Sequence, residues 1–282
     1  MMPEKPSTSV ENTERQLSHP TPSAGETESS QVERPVARIP EKIDWTDDDI
    51  AAMSLSGCIS TVVLVLVWMR VYLGGLSLVD YAMREGERGE TSWIMIGTMA
   101  ASVIALVGSG YVFGVRKHPQ GWRAIDLRPT TRRWLLFAAL LGVLFIPVNA
   151  LVSSTVGAAL DMPTTLPETV QDGSFPVVEF LAVFFMTAIV VPIGEEIFFR
   201  GIIYRWLRDH AGFPMGLVVS SIAFGALHLA PPSVVAISIM GALCALVYEW
   251  SGSLWPAVMI HSVNNGIVVI ISYVLYASPW AV

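Results

Sequence analysis

Apolar residues in this chain fall in long unbroken blocks rather than at alternating or heptad positions. The clearest blocks cover about 54 to 76, 92 to 114, 134 to 156, 177 to 200, 214 to 230, 233 to 250 and 254 to 277, with short polar, glycine or proline breaks between them. Each block approaches the roughly 20 residues that an α-helix needs to cross about 30 Å of hydrocarbon. The pattern predicts an all-α fold, a polytopic transmembrane helical bundle of about seven to eight helices. Residues 1–44 read differently. They are rich in Ser, Thr, Pro and Glu and carry almost no large apolar side chains, so burial there cannot offset the entropy of ordering. A disordered N-terminal tail is expected over 1–44, followed by a transmembrane helical domain over 45–282. No signal-peptide pattern precedes residue 51, so the first apolar block is expected to direct insertion.

Composition supports a membrane protein over a soluble one. Hydrophobic residues make up 52% of the 282, charged residues only 15%, and the mean hydropathy is +0.54. The formal net charge of -7 arises largely from the first 50 residues and the loops, which gives nucleic-acid binding no support. Cys58 and Cys244 both lie within apolar blocks, where a small buried thiol is the ordinary reading.

The basic residues set an orientation. Arg34, Arg38 and Lys42 precede the first block; Arg116, Lys117, Arg123, Arg128, Arg132 and Arg133 separate the second and third; Arg200, Arg205 and Arg208 follow the fourth. The intervening loops hold only Arg84 and Arg88, so the positive-inside rule places the first set in the cytoplasm. A multi-pass protein of the cell membrane is expected, with the lipid bilayer as its first partner. The two halves show no hydropathy repeat, which weighs against a transporter.

Three polar clusters interrupt the apolar blocks. Charged groups inside membrane helices cost roughly 2.5 to 3.5 kcal/mol each on insertion scales, so a set of them calls for a reason. Glu195-Glu196-Ile197-Phe198-Phe199-Arg200 follows an apolar run with a kinking Pro192. Helical spacing puts Glu196 and Arg200 on one face, suited to a salt bridge, while Glu195 points about 100° away. Phe224-Gly225-Ala226-Leu227-His228 ends an otherwise uncharged block. His261-Ser262-Val263-Asn264-Asn265 sets His261 and Asn265 four apart on a shared face. Each cluster alone reads as interhelical glue or a snorkelling side chain.

Depth relates the clusters to one another. Glu195 and His228 lie about 16 residues on either side of a turn at 210–214, which makes them level at about 24 Å from it in an antiparallel hairpin. His261 is expected roughly 10 Å from His228 in depth, by the same rise. A carboxylate beside an imidazole inside an apolar bundle is a water-activating pair, and hydrolysis is its natural reaction. A second His with an amide four residues on offers donors for a developing oxyanion.

In this order on successive apolar blocks, EExxxR, FxxxH and HxxxN resemble the three signature motifs of the CPBP (Abi) family of intramembrane proteases, whose best-known branch is the CAAX prenyl protease 2 group. The resemblance covers about residues 134–277. It implies an intramembrane endopeptidase acting on membrane-associated protein or peptide substrates, prenylated ones among them. Carried over by position, Glu195 matches the catalytic glutamate and His228 the histidine that helps it activate water. His261 and Asn265 match the pair assigned to the tetrahedral intermediate. Glu196, Arg200 and Phe224 occupy supporting motif positions. Members are commonly called metalloproteases, and Glu195, His228 and His261 would be the candidate zinc ligands. No HExxH is present, and a metal-free, glutamate-centred mechanism is the favoured reading, with zinc left open. The alternative function is a non-catalytic scaffold, immunity protein or regulator built on the same fold. A glue role for the clusters predicts that losing Glu195 harms assembly rather than turnover.

Overall fold

The structure, a computed structural model, describes residues 46, 48–53, 55, 89–161, 177–228 and 231–277. The expected tail over 1–44 and, apart from Leu55, the first apolar block lie outside the described residues. Helices account for every regular element among them: α1 (Gly89–Phe113), α2 (Arg132–Ala159), α3 (Val177–Phe185), α4 (Val191–Glu196), α5 (Arg205–Ala226), α6 (Pro231–Ser251) and α7 (Leu254–Ala277). Two short 3-10 turns, Val115–Lys117 and Gly121–Ile125, fill the loop between α1 and α2. Two π-helical turns, Met186–Val190 and Ile197–Tyr204, join α3 to α4 and α4 to α5. The chain from Val177 to Ala226 therefore winds without leaving helical geometry until Gly212.

Five stretches among the described residues are long and apolar enough to cross a membrane. Their outward faces carry bare aliphatic side chains such as Ile104, Leu136 and Leu151. In water such a surface would aggregate; against lipid tails it costs nothing. The molecule is a multi-pass membrane protein.

Gly212 turns the chain. Its φ of 84° and ψ of 167° are accessible to glycine and strained for any side chain. Pro214 then opens the second limb, where a helix has no use for its missing N–H. The limbs return antiparallel. Arg208 approaches Gly216, and further along Phe199 meets Phe224 edge to face with ring centroids 5.1 Å apart. Both pairs straddle Gly212 almost symmetrically, the register expected for a hairpin turning at 210–214. α2 packs on α6 and α7, α5 on α6, and α1 on α4. These helices surround the Glu195-to-Arg200 segment.

Candidate active site

The site begins with a proline. Pro192 has no N–H, so the helix carrying it cannot close the bonds to the carbonyls four and five residues before it. The π-turn Met186–Val190 falls at this point. Thr187, five residues before Pro192, offers its carbonyl oxygen to Asn265 instead, whose Nδ2 donates to it at 3.2 Å. A local defect in one helix thus reaches across to α7 and fixes a side chain there.

Glu196 faces the protein interior and is fully buried. Its Oε1 accepts from Arg200 Nη1 at 2.8 Å and from His261 Nδ1 at 3.0 Å. The expected one-turn salt bridge is present. Arg200, 1% exposed, also donates from Nη2 to the Gly241 carbonyl at 3.0 Å, and its guanidinium lies 4.3 Å from the Phe224 ring centroid. Gly241 makes room for it: a Cβ there would stand 3.2 Å from Arg200 Nη2 and 3.1 Å from the Ser221 backbone. Phe224 also stacks edge to face on both His228 and His261, with centroids 5.6 Å apart in each case. The two imidazoles share one aromatic neighbour.

With Nδ1 donating to the Glu196 carboxylate, His261 turns Nε2 toward Glu195, whose Oε2 lies 3.7 Å away. That is longer than a hydrogen bond. Glu195 Oε2 accepts no hydrogen bond from the protein. It borders a cavity of about 320 Å³ that is also lined by His228, His261, Asn264, Asn265 and Asn149, with apolar walls from Phe145, Val191 and Met240. All four residues expected to be catalytic therefore meet one cavity, although from three directions. His228, at the exposed end of α5, has Nδ1 3.3 Å from the Phe224 carbonyl. Glu195 lies closer to His261 than to a bond with His228: no hydrogen bond or ion pair joins Glu195 and His228 among the described residues. The depth estimate that set His261 apart from the hairpin pair treated the helices as straight rods, and Pro192 with its two flanking π-turns removes that assumption.

Glu195, His228 and His261 are the candidate zinc ligands of the sequence. Among the described residues no three His, Cys, Asp or Glu side chains converge as a ligand set. His261 commits Nδ1 to Glu196. The donors as arranged do not fit a three-ligand ion.

Several polar residues at and near the site carry no motif signal. Asn149 projects into the cavity from α2, its Oδ1 accepting from Ser153 Oγ at 3.2 Å. Its only mark in the sequence is an amide in an apolar block. Asn264 stands inside the third cluster but was assigned nothing. Nearer the Gly212 turn, Asp126 of the α1–α2 loop pairs with Arg205 and accepts from Tyr248 Oη at 2.9 Å. Burial raises its carboxyl above the usual carboxylate range, against the pull of Arg205. Glu249 takes Arg208 at 2.6 Å and Tyr204 Oη at 2.8 Å. These loop contacts show that Arg205 and Arg208 lie at the polar end of the bundle. Glu195, about three turns from Arg205, then lies near 15 Å inward.

Comparison with known proteins agrees with this architecture. Residues 177–267, which hold all three clusters, match the Rce1-like family, described as type II CAAX prenyl endopeptidase Rce1-like. Over 85 residues the chain is 33% identical to the protein named "Putative membrane peptidase YdiL" of Bacillus subtilis (strain 168), covering 30% of this chain and 35% of that protein. Over 209 residues it is 26% identical to UPF0177 protein YaiH of Lactococcus lactis subsp. lactis (strain IL1403), covering 72% of this chain and 80% of that protein. The match to the first relative thus spans about a third of that protein's length. No solved structure matches the chain. Over residues 177–267, this multi-pass membrane protein is similar to the Rce1-like, type II CAAX prenyl endopeptidase family.

Proposed function

We propose that the chain is an intramembrane endopeptidase in which Glu195 activates water against a peptide bond held in the bundle cavity. One observation carries the reading: Glu195, whose Oε2 accepts no hydrogen bond from the protein, lines a cavity together with His228, His261 and Asn265. Glu195 takes a proton from water as the oxygen attacks the carbonyl carbon, with His228 positioned to share in holding that water. The oxyanion that forms accepts from Asn265 Nδ2, and His261 contributes a donor only as an imidazolium with a proton on Nε2 as well as Nδ1. Asn265 keeps one Nδ2–H for this purpose, the other being spent on Thr187. Collapse of the intermediate breaks the C–N bond, the proton on Glu195 passes to the leaving nitrogen, and a carboxylate and an amine depart. Glu196 and Arg200 act by holding His261 in one orientation. No step passes through a metal.

The substrate is a membrane-associated peptide. The YdiL and Rce1-like descriptions support peptide hydrolysis, and the Rce1-like description raises prenylated C-termini as one class. The test is cleavage by the purified, detergent-solubilised protein of farnesylated and unmodified peptide libraries, with and without a zinc chelator. His228→Ala should lower turnover by about 100-fold or more, and the chelator should leave it unchanged. Loss of turnover on chelation, restored by zinc, would overturn the metal-free reading. Absence of cleavage of any peptide would favour the scaffold or regulatory alternative.

A further inference from the structure

The amide groups at the cavity have determined directions. The Thr187 carbonyl can only accept, so the atom of Asn265 beside it is Nδ2 and the opposite atom is Oδ1. Asn265 Oδ1 likewise can only accept, so the Asn264 atom 3.2 Å from it is Nδ2. The Asn264 Oδ1 is thereby turned away from Asn265. It is buried, in a residue 4% exposed that lines the cavity, and it receives no hydrogen bond from the protein. Direction thus passes from the carbonyl opposite Pro192, through Asn265, to Asn264.

We propose that Asn264 is a substrate-positioning residue whose Oδ1 accepts a backbone N–H of the bound peptide at a bond flanking the scissile one. This deepens the protease reading and rests on it. A peptide drawn into a dry cavity brings N–H groups that must each find an acceptor. Asn149 Oδ1 is engaged by Ser153 and Asn265 Oδ1 by Asn264, while Glu195 is occupied with water. Asn264 Oδ1 is the free amide acceptor among the described residues at the cavity. The site therefore recognises the peptide backbone itself, and a residue lacking N–H at the matching position is disfavoured.

An ester scan tests this. In a cleavable peptide, each amide flanking the scissile bond is replaced in turn by an ester, which deletes one N–H, and cleavage at the scissile amide is followed by mass spectrometry. For the wild-type protein, one ester should lower kcat/KM by about 10-fold. In Asn264→Leu that same ester should cost less than about twofold, because the partner of the N–H is already gone. Asn264→Leu removes an unpartnered buried acceptor together with the Nδ2 donor to Asn265 Oδ1, so its melting temperature should fall by only a few degrees; Asn264→Ala serves as a second variant with the same expected loss of ester sensitivity. The inference is overturned if no flanking ester slows the wild type, a result that needs no variant to fold, or if the ester penalty persists in both variants. Wild-type protein that cleaves amide and ester peptides alike sinks only this inference. Wild-type protein that cleaves no peptide sinks the protease reading and takes the inference with it.

Discussion

Asp126 and Glu249 at one end of the bundle, and Glu195 a few turns inward, are all carboxylates among helices, yet their surroundings differ. Asp126 has Arg205 and Tyr248 on Oδ2 and Arg128 3.4 Å from Oδ1. Glu249 has Arg208 spanning both oxygens and Tyr204 on Oε2. Glu195 Oε2 and Asn264 Oδ1 have no hydrogen-bond partner in the protein, and both residues line the cavity. Where the chain uses charge to join loop to helix, it pairs the charge. An unpaired buried acceptor costs about 1–3 kcal/mol, and at the cavity two are kept. A fold built for stability alone would fill such positions with apolar side chains.

This contrast can be broken at either end. The largest stability loss should come from Arg200→Leu, which leaves the Glu196 carboxylate buried without its cation. About 3–5 kcal/mol is expected, read as earlier labelling of the buried Cys244 thiol on heating in detergent. Asp126→Ala should follow at about 3 kcal/mol, because Arg205 and Tyr248 both lose the buried carboxylate they share; the same thiol readout applies. Gly241→Ala should cost about 1–3 kcal/mol by crowding Arg200 and Ser221. Since Arg200 supports Glu196 and hence His261, turnover should fall with it. The smallest effect should be that of Glu249→Gln, about 1 kcal/mol, because Arg208 is partly exposed and can reach water.

Much of this was legible in the residues. The block at 254 to 277 is α7 from end to end, and the turn at 210–214 centres on Gly212. Block lengths and glycine–proline breaks are local signals, set by bilayer thickness and backbone geometry. The Glu196–Arg200 pair was equally visible, because four residues on a helix share a face. The contacts that define the site are of another kind. Glu196 meets His261 from 65 residues away, and Asp126 meets Tyr248 from 122 away. Periodicity carries no information at such separations. Pro192 was seen as a kink, but the carbonyl it frees and the asparagine that takes it depend on how α7 lies against α3 and α4. Glu249 and Asp209 carry no such signal either: both face Arg208, Asp209 at 3.4 Å.

The central claim is that adjacent glutamates divide the work, Glu195 for chemistry and Glu196 for architecture. The most direct test compares Glu195→Gln with Glu196→Gln in the same detergent, measuring peptide turnover and melting temperature on each preparation. Glu195→Gln should lose at least about 1,000-fold in turnover while melting with the wild type, and Glu196→Gln should melt earlier. Wild-type turnover from Glu195→Gln, or unfolding of that variant alongside Glu196→Gln, would contradict the account.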